Sequence, residues 1–310
     1  MSKVVVTGGC GFIGSNLVEE LIKLGFEVVV LDNLTTGKIE NIKGLKCKVV
    51  IADIRDLKAL RDIFVDTECV FHQAALPSVA RSIKDPVLTN DVNITGTLNV
   101  LIASRDCEVE KVIYASSSSV YGDTPTLPKR EDMKPNPKSP YAVSKLAGEY
   151  YCRVFSEVYG LKTVCLRYFN VYGPKQDPYS EYSAVVPRFI CRIIKGKPPI
   201  IFGDGNQTRD FTFVEDVVKA NILAMKKNVE GIFNIATGKR VSIKNLAEMI
   251  MEIVGAKLKP IYDKPRPGDI RHSLADISLT MKKLGYKPEY DLRKGLEVTI
   301  RWFSMNLKKS

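Results

Sequence analysis

Tyr141 and Lys145 stand four residues apart in a stretch, Tyr141 to Tyr159, whose apolar spacing predicts a long helix. At that spacing both side chains project from one helix face. A tyrosine hydroxyl, with a reference pKa of ~10, is a poor base near neutrality. A lysine ammonium one turn away favours the phenolate, and a cationic ring bound alongside would add to it, so the expectation is a lowered pKa. Ser116 to Ser119 follow a predicted strand, Lys111 to Ser116, and supply hydroxyls beside any group reacting there. Tyr-x-x-x-Lys alone is common surface decoration, and its meaning depends on its neighbours.

A glycine-rich run, Gly8-Gly9-Cys10-Gly11-Phe12-Ile13-Gly14, follows a first short apolar strand and opens a helical pattern through Leu17, Leu21 and Leu24. Gly8 permits a tight turn, Gly11 a close approach to a pyrophosphate, and Gly14 a close packing of helix on strand; the helix N-terminus then faces phosphate charge. Asp32 ends the second predicted strand 18 residues beyond Gly14. A carboxylate there bonds ribose hydroxyls and repels a 2′-phosphate, which favours NAD over NADP. Asp53, ending the third strand, is placed to bond an adenine amino group.

The elements that must position these groups alternate in type. Strands are expected at Glu27–Leu31, Cys47–Ala52 and Cys69–His72, a single long helix near 86–104, and strands at Lys111–Ser116 and Thr163–Arg167. Apolar strands separated by helices argue for a doubly wound α/β fold on a parallel sheet, the Rossmann type. After about residue 170 the texture becomes loop-rich, at 173–183, 196–209 and 263–270. The expected organisation is an NAD-binding domain over 1–170 and a smaller α/β substrate domain over 171–310, with the strand near 231–236 returning to the first sheet.

Composition narrows the class. The 310 residues are 45% hydrophobic and 26% charged, with Lys+Arg at 46 against Asp+Glu at 35. The excess of +11 is spread along the chain without a basic–aromatic block, so a solvated lysine-rich surface is favoured over a nucleic-acid patch. No apolar run approaches the ~20 residues of a spanning helix. The seven cysteines are scattered and only His72 and His272 accompany them, so no metal site is expected and the thiols read as reduced. With a strand-like run from Lys3 and no leader pattern, the expected location is the cytoplasm.

The glycine run, Asp32-Asn33-Leu34, His72-Gln73-Ala74-Ala75, Ser116-Ser117-Ser118, Tyr141-Ala142-Val143-Ser144-Lys145 and Arg167-Tyr168-Phe169-Asn170 occur in one order. Together they resemble the extended short-chain dehydrogenase/reductase family over nearly the whole chain. The resemblance implies a catalytic set of Ser117, Tyr141 and Lys145. It implies an NAD groove formed by Gly8, Gly11, Phe12, Ile13, Asp32, Asn33, Asp53, Ile54, Gln73, Ala74, Ala75, Asn93, Tyr141, Lys145 and Tyr168.

The segments Gly203 to Phe211 and Arg266-Pro267-Gly268-Asp269 resemble UDP-binding parts of the UDP-hexose 4-epimerases. By that resemblance Asn170, Val186 and Asp269 touch the UDP-sugar, Arg209 and Arg266 hold the diphosphate, and Ser117, Ser118 and Tyr141 meet the hexose. Guanidinium forks suit phosphate oxygens. Dehydratases of this family carry an acidic pair where Ser118-Ser119 stand, and the decarboxylases carry a glutamate nearby that is missing between Ser116 and Gly122. Gly268 to Asp276 is most similar to UDP-N-acetylglucosamine 4-epimerases. A small Ser273, where relatives that exclude N-acetyl sugars have tyrosine, leaves room for an acetamido group.

The activity so implied is NAD-dependent 4-epimerisation of a UDP-hexose, UDP-GlcNAc/UDP-GalNAc and also UDP-Glc/UDP-Gal, through transient oxidation at C4, rotation of the 4-keto sugar and re-reduction. UDP-glucuronate 4-epimerisation or decarboxylation is the alternative, with Arg81 as the cation for a C6 carboxylate. A reading of another class, a non-catalytic NAD- or RNA-binding module, sits poorly with an intact Tyr141/Lys145 pair. The two long helices, near 86–104 and 141–159, resemble a homodimer interface of the family.

Overall fold

The computed structural model describes residues 2–179, 184–265 and 270–306. Seven parallel strands form the central sheet: β1 Lys3–Thr7, β2 Glu27–Asp32, β3 Lys48–Ile51, β4 Cys69–His72, β5 Lys111–Ser117, β6 Lys162–Tyr168 and β7 Gly231–Ile235. Their spatial order is β7-β6-β5-β4-β1-β2-β3, with every neighbouring pair parallel. This is the doubly wound α/β arrangement expected from the strand–helix alternation. The chain reverses direction across the sheet between β1 and β4, and the crevice at their carboxyl ends is where such sheets bind ligands.

Alternate residues of each strand serve different layers, as the two-residue period requires. Val4, Val6, Val28, Val30, Phe71, Ile113 and Leu166 pack with Leu17, Val18 and Leu21 of helix Phe12–Lys23. Val5, Val29, Leu31, Val70, Val112 and Tyr114 pack on the opposite face with Leu60, Phe64, Val100 and Leu101. Both faces are covered, which explains why the strands read as unbroken apolar runs. A third core joins helices Val185–Ile194, Ile243–Val254 and Leu292–Asn306, and Phe12 and Ile13 pack against it.

Two departures from the sequence expectations bear on the site. The single helix expected near 86–104 is instead Pro86–Asn90, a π-helical turn Asp91–Thr95, and Gly96–Asp106. A π turn inserts a residue and re-aims side chains, a common device near binding sites. Helix Val214–Lys226, from the loop-rich half, contributes Val217, Val218, Ala220 and Ala224 to the first core, against helix Phe12–Lys23, β5 and β6. Hydrophobic burial rather than chain order decides which layer a helix joins.

Candidate functional site

The carboxyl ends of the strands open into a cleft of about 1090 Å³. At one end lies the turn after β1. Gly8 has φ +70 and its amide donates to Leu31 O at 2.7 Å. A Cβ on Gly8 would stand 2.7 Å from the Ala74 amide nitrogen, and one on Gly14 would stand 2.2 Å from Gly8 O. Gly11 is the N-cap of helix Phe12–Lys23 and brings no side chain to cap it. Unpaired amides at that helix start therefore face the cleft, a ready anion site.

Asp32 stands beside this turn, its carboxylate fixed by the amides of Cys10 at 2.9 Å and Leu34 at 2.8 Å. Glycines that leave no room for side chains, with a carboxylate placed for ribose hydroxyls, fit a dinucleotide without a 2′-phosphate. Asn33 and Ile54 line the same end. Asp53 does not line it; its carboxylate is taken by Arg55 at 2.9 Å and Asn33 at 2.8 Å. The Arg55 hydrogen bond, with help from Asn33, holds that carboxyl down to about 2.

The middle of the groove is set by a directed hydrogen-bond chain. Thr97 Oγ1 donates to Asn93 O at 2.6 Å, so its 2.9 Å contact with His72 Nε2 must be accepted, which puts the imidazole proton on Nε2. His72 Nδ1 then accepts from Thr7 Oγ1 at 2.8 Å, and Thr7 Oγ1 accepts from the Ala74 amide at 3.3 Å. Burial pushes the His72 imidazole down to about 3, so it stays neutral. Asn93 itself is buried away from the cleft, inside the π turn. Its side chain accepts from the Leu76 amide at 2.8 Å and donates to Ser144 Oγ at 3.0 Å. Asn93 thus shapes the loop carrying Ala74 and Ala75, which do line the groove. Gln73 Nε2 donates to Tyr168 Oη at 3.0 Å and to Asn221 Oδ1 at 3.1 Å.

Tyr141, Lys145 and Ser117 meet halfway along the cleft. Helix Pro140–Tyr159 begins sharply because Ser139 caps it through the Ala142 amide and Pro140 occupies its first position. Lys145 Nζ donates to Ala115 O at 2.8 Å and lies 5.0 Å above the Tyr114 ring. Burial brings its ammonium down to about 8. For Tyr141 the expected lowering fails in the chain alone. Burial raises the hydroxyl above the ordinary tyrosine value, and a hydrogen bond with Ser117 opposes this without overcoming it. Only the Ser117 hydrogen bond opposes burial at Tyr141, and a positive charge bound in the groove would favour the phenolate further.

The far end is built by the second half of the chain. Asn170, at φ 35, donates from Nδ2 to Asp210 O at 2.9 Å. Arg209 lines the cleft, and its Nη1 donates to Thr208 O at 2.9 Å. Ser273 and His272 line it too, held by Ser273 N to Thr208 O at 3.0 Å and His272 Nδ1 to Thr208 Oγ1 at 2.9 Å. Val186 is buried in the third core and does not line the cleft; Ala184, two residues earlier, does. Helix Val185–Ile194 turns its apolar face inward, and Val186 goes with it. Arg266 and Asp269 lie outside the described residues.

Residues 4–236 match the NAD dependent epimerase/dehydratase family. The chain belongs to that family. This epimerase-family chain is 41% identical over 309 residues to the UDP-glucose 4-epimerase of Mycolicibacterium smegmatis, covering 97% of itself and 98% of that relative. It superposes on the UDP-N-acetylglucosamine 4-epimerase of Methanobrevibacter ruminantium, solved with UDP-N-acetylmuramic acid, with TM-score 0.95 and 43% identity over 98% of each chain. The Thermus thermophilus UDP-glucose 4-epimerase complex with NAD matches with TM-score 0.91 and 40% identity, covering 98% of this chain and 99% of that one. The cofactor is NAD.

One residue of this epimerase-family site was not singled out from sequence. Asp210 is fully buried and its carboxylate accepts from Thr237 N at 2.9 Å, Thr237 Oγ1 at 2.6 Å, Gly238 N at 3.0 Å and Ala275 N at 3.3 Å. It ties the Arg209 strand to the Ser273 segment and, through its own carbonyl, to Asn170. Its sequence signal is its place inside Gly203 to Phe211, a segment that resembles a UDP-binding part only as a whole. Asp210→Asn turns an acceptor into a donor facing amide donors. It should cost about 2 kcal/mol of stability and weaken UDP binding by about tenfold. Thermal melting and UDP calorimetry test this, and an unchanged UDP affinity would remove Asp210 from the site.

Proposed function

We propose that the protein interconverts UDP-hexoses epimeric at C4, UDP-GlcNAc with UDP-GalNAc and UDP-Glc with UDP-Gal. The observation that carries this reading is the place of Tyr141, Ser117 and Lys145, midway in one cleft between the Gly8–Asp32 end and the Arg209–Ser273 end. A dinucleotide anchored by its adenosine half at the first end extends its nicotinamide to the middle, where a sugar tethered by its diphosphate at the second end meets an acid–base tyrosine.

Gly8, Gly11 and the start of helix Phe12–Lys23 cradle the NAD pyrophosphate, Asp32 takes the adenosine ribose, and Gln73, Ala74, Ala75 and Tyr168 line the path of the dinucleotide. When bound, NAD⁺ accepts and returns the hydride of C4, and its positive ring supplies the charge that favours the Tyr141 phenolate. Tyr141 takes the proton of the 4-hydroxyl and later gives it back, while Ser117 shares that proton. Lys145 stabilises the phenolate by charge. Arg209 holds the diphosphate, so the keto sugar turns within the cleft without escaping. Arg266 and Asp269 are expected partners of the same UDP group.

Ser273 leaves the space for an acetamido group. Replacing it with tyrosine should lower the rate on UDP-GlcNAc at least about tenfold while leaving UDP-Glc within about threefold. The deciding measurement is proton NMR of the purified protein with UDP-GlcNAc, and separately UDP-Glc, without added NAD. Appearance of the galacto epimer supports the reading; no conversion of either sugar, even with added NAD, overturns it.

The assembly proposed is a homodimer in the cytoplasm. Val143, Tyr150, Val154 and Val158 leave an exposed apolar stripe on helix Pro140–Tyr159, and Ile83 and Val87 extend it. Such a surface favours burial against a second copy. The division into an NAD domain over 1–170, with the strand near 231–236 returning to it, and a UDP-sugar domain over 171–310 is supported by the separate third core, although helix Val214–Lys226 packs in the first.

A further inference from the structure

We propose that Glu149 is a positioning residue whose carboxylate, by holding Ser116 and Arg167 together, sets the Tyr141 hydroxyl against the Ser117 hydroxyl; the inference rests on the 4-epimerase reading of this cleft. Tyr141, Lys145 and Glu149 recur every four residues on one face of helix Pro140–Tyr159. Glu149 does not line the cleft, and it lies behind Tyr141 and Lys145, buried in the protein.

Its two oxygens close a fork with Arg167 of β6, Nε to Oε1 at 2.8 Å and Nη2 to Oε2 at 2.7 Å, with both side chains at most 2% exposed. Oε1 also accepts from Ser116 Oγ at 2.5 Å. Ser116 immediately precedes Ser117 on β5, so this bond ties the strand end that carries Ser117 to the helix that carries Tyr141. Arg167 in turn stacks on Tyr121, 4.6 Å from its ring, and Tyr121 Oη donates to Asn234 Oδ1 of β7 at 2.7 Å. One carboxylate therefore joins the catalytic helix to three adjacent strands.

The helix also packs tightly on the Tyr114 side chain of β5. A Cβ on Gly148 would stand 2.2 Å from the Tyr114 hydroxyl, and Tyr114 Oη donates to Lys145 O at 3.4 Å. The clamp adds to this packing a tie at the end of β5, through Ser116, next to the residue that meets Tyr141. A buried ion pair is a poor source of stability, since apolar residues of similar volume often serve as well or better. Its use here is geometric. Small displacements between a base and its partner cost rate steeply.

The groups facing Lys145 are Tyr114 on β5, His72 on β4, and Tyr141, Glu149 and Cys152 on its own helix. Of these Glu149 and Cys152 favour its ammonium, so the clamp supports the charge beside Tyr141 as well as its place.

The test compares wild type with Ser116→Ala, Glu149→Gln and the double variant Glu149→Gln/Arg167→Met, which leaves no buried unpaired guanidinium. Steady-state epimerisation and a difference-absorbance titration of Tyr141, with Tyr141→Phe as blank, are read on each NAD-loaded protein. We expect kcat to fall about 10-fold in Ser116→Ala and about 100-fold in both Glu149 variants, with KM within about twofold of wild type. The Tyr141 titration should move upward by at least about 0.5 pH unit in all three, because the Ser117 hydrogen bond is loosened. Wild-type kcat and an unmoved titration in Ser116→Ala and in the folded double variant overturn the proposal, whatever the melting temperatures do. A wild-type protein that turns over no UDP-hexose defeats the epimerase reading instead, and the Tyr141 titration then decides the positioning role by itself.

Discussion

Tyr141→Phe lowers kcat on UDP-hexoses by about 10³-fold and leaves NAD in place. The substitution deletes one hydroxyl and keeps the ring that fills the cleft wall. The lost hydroxyl is the one hydrogen-bonded to Ser117, on a side chain that lines the cleft. Lys145, whose Nζ donates to Ala115 O at 2.8 Å and lies 5.0 Å from the Tyr114 ring, does not take over, because its ammonium has no lone pair to accept the proton. Ser117 has no base of its own, as its hydroxyl accepts from the Ser119 amide at 3.2 Å. KM should stay within about threefold, since the diphosphate is gripped elsewhere. Initial rates, with the NAD content of each preparation, check the prediction. A variant retaining more than about a tenth of wild-type kcat would mean that another group moves the proton.

The second large effect belongs to the glycine turn. Gly14→Ala places a methyl 2.2 Å from Gly8 O and 2.9 Å from Gly9 Cα, distances that only backbone movement can relieve. That movement is blocked on the other side, where Gly8 donates to Leu31 O and lies against the Ala74 backbone. Helix Phe12–Lys23 must therefore tilt, and its N-terminal amides leave the pyrophosphate position. We expect NAD affinity to fall at least about 100-fold, equivalent to about 2.7 kcal/mol, and the protein to purify without cofactor. Gly25→Ala is the matched control. Gly25 has φ +86 but open space around its Cβ, so alanine there should cost about 1 kcal/mol of stability and leave NAD binding unchanged. Titration of NAD into stripped protein separates the two variants, and equal affinities would mean that the turn does not carry the pyrophosphate.

Much of this protein was legible from short-range pattern. The run Val4-Val5-Val6 before three spaced glycines, and Asp32 at the end of the next apolar run, are local signals of strand, turn and helix. Local sterics decide them: φ +70 at Gly8 and the absent Cβ at Gly14 are demands made by atoms a few residues away. Tyr141 and Lys145 share a face because a helix of 3.6 residues per turn leaves them no choice. Helix Pro140–Tyr159 starts and stops at Ser139 and Gly160, both readable as caps.

The tertiary structure alone decided what the buried polar groups do. Asn93 reads as a cofactor ligand in sequence and serves as a brace for Leu76. Asp53 is spent on Arg55, and Val186 belongs to a core. Asp210 gathers amides from Gly238 and Ala275, and Glu149 closes on Ser116 and Arg167. Except for Asp53, whose partner Arg55 is two residues away, the partner is fixed by how layers pack rather than by chain proximity. A buried donor or acceptor must be paired, but the sequence does not say with what. The Tyr141 hydroxyl illustrates the same division: its distance from Lys145 along the chain is a property of the helix, whereas its raised pKa comes from burial.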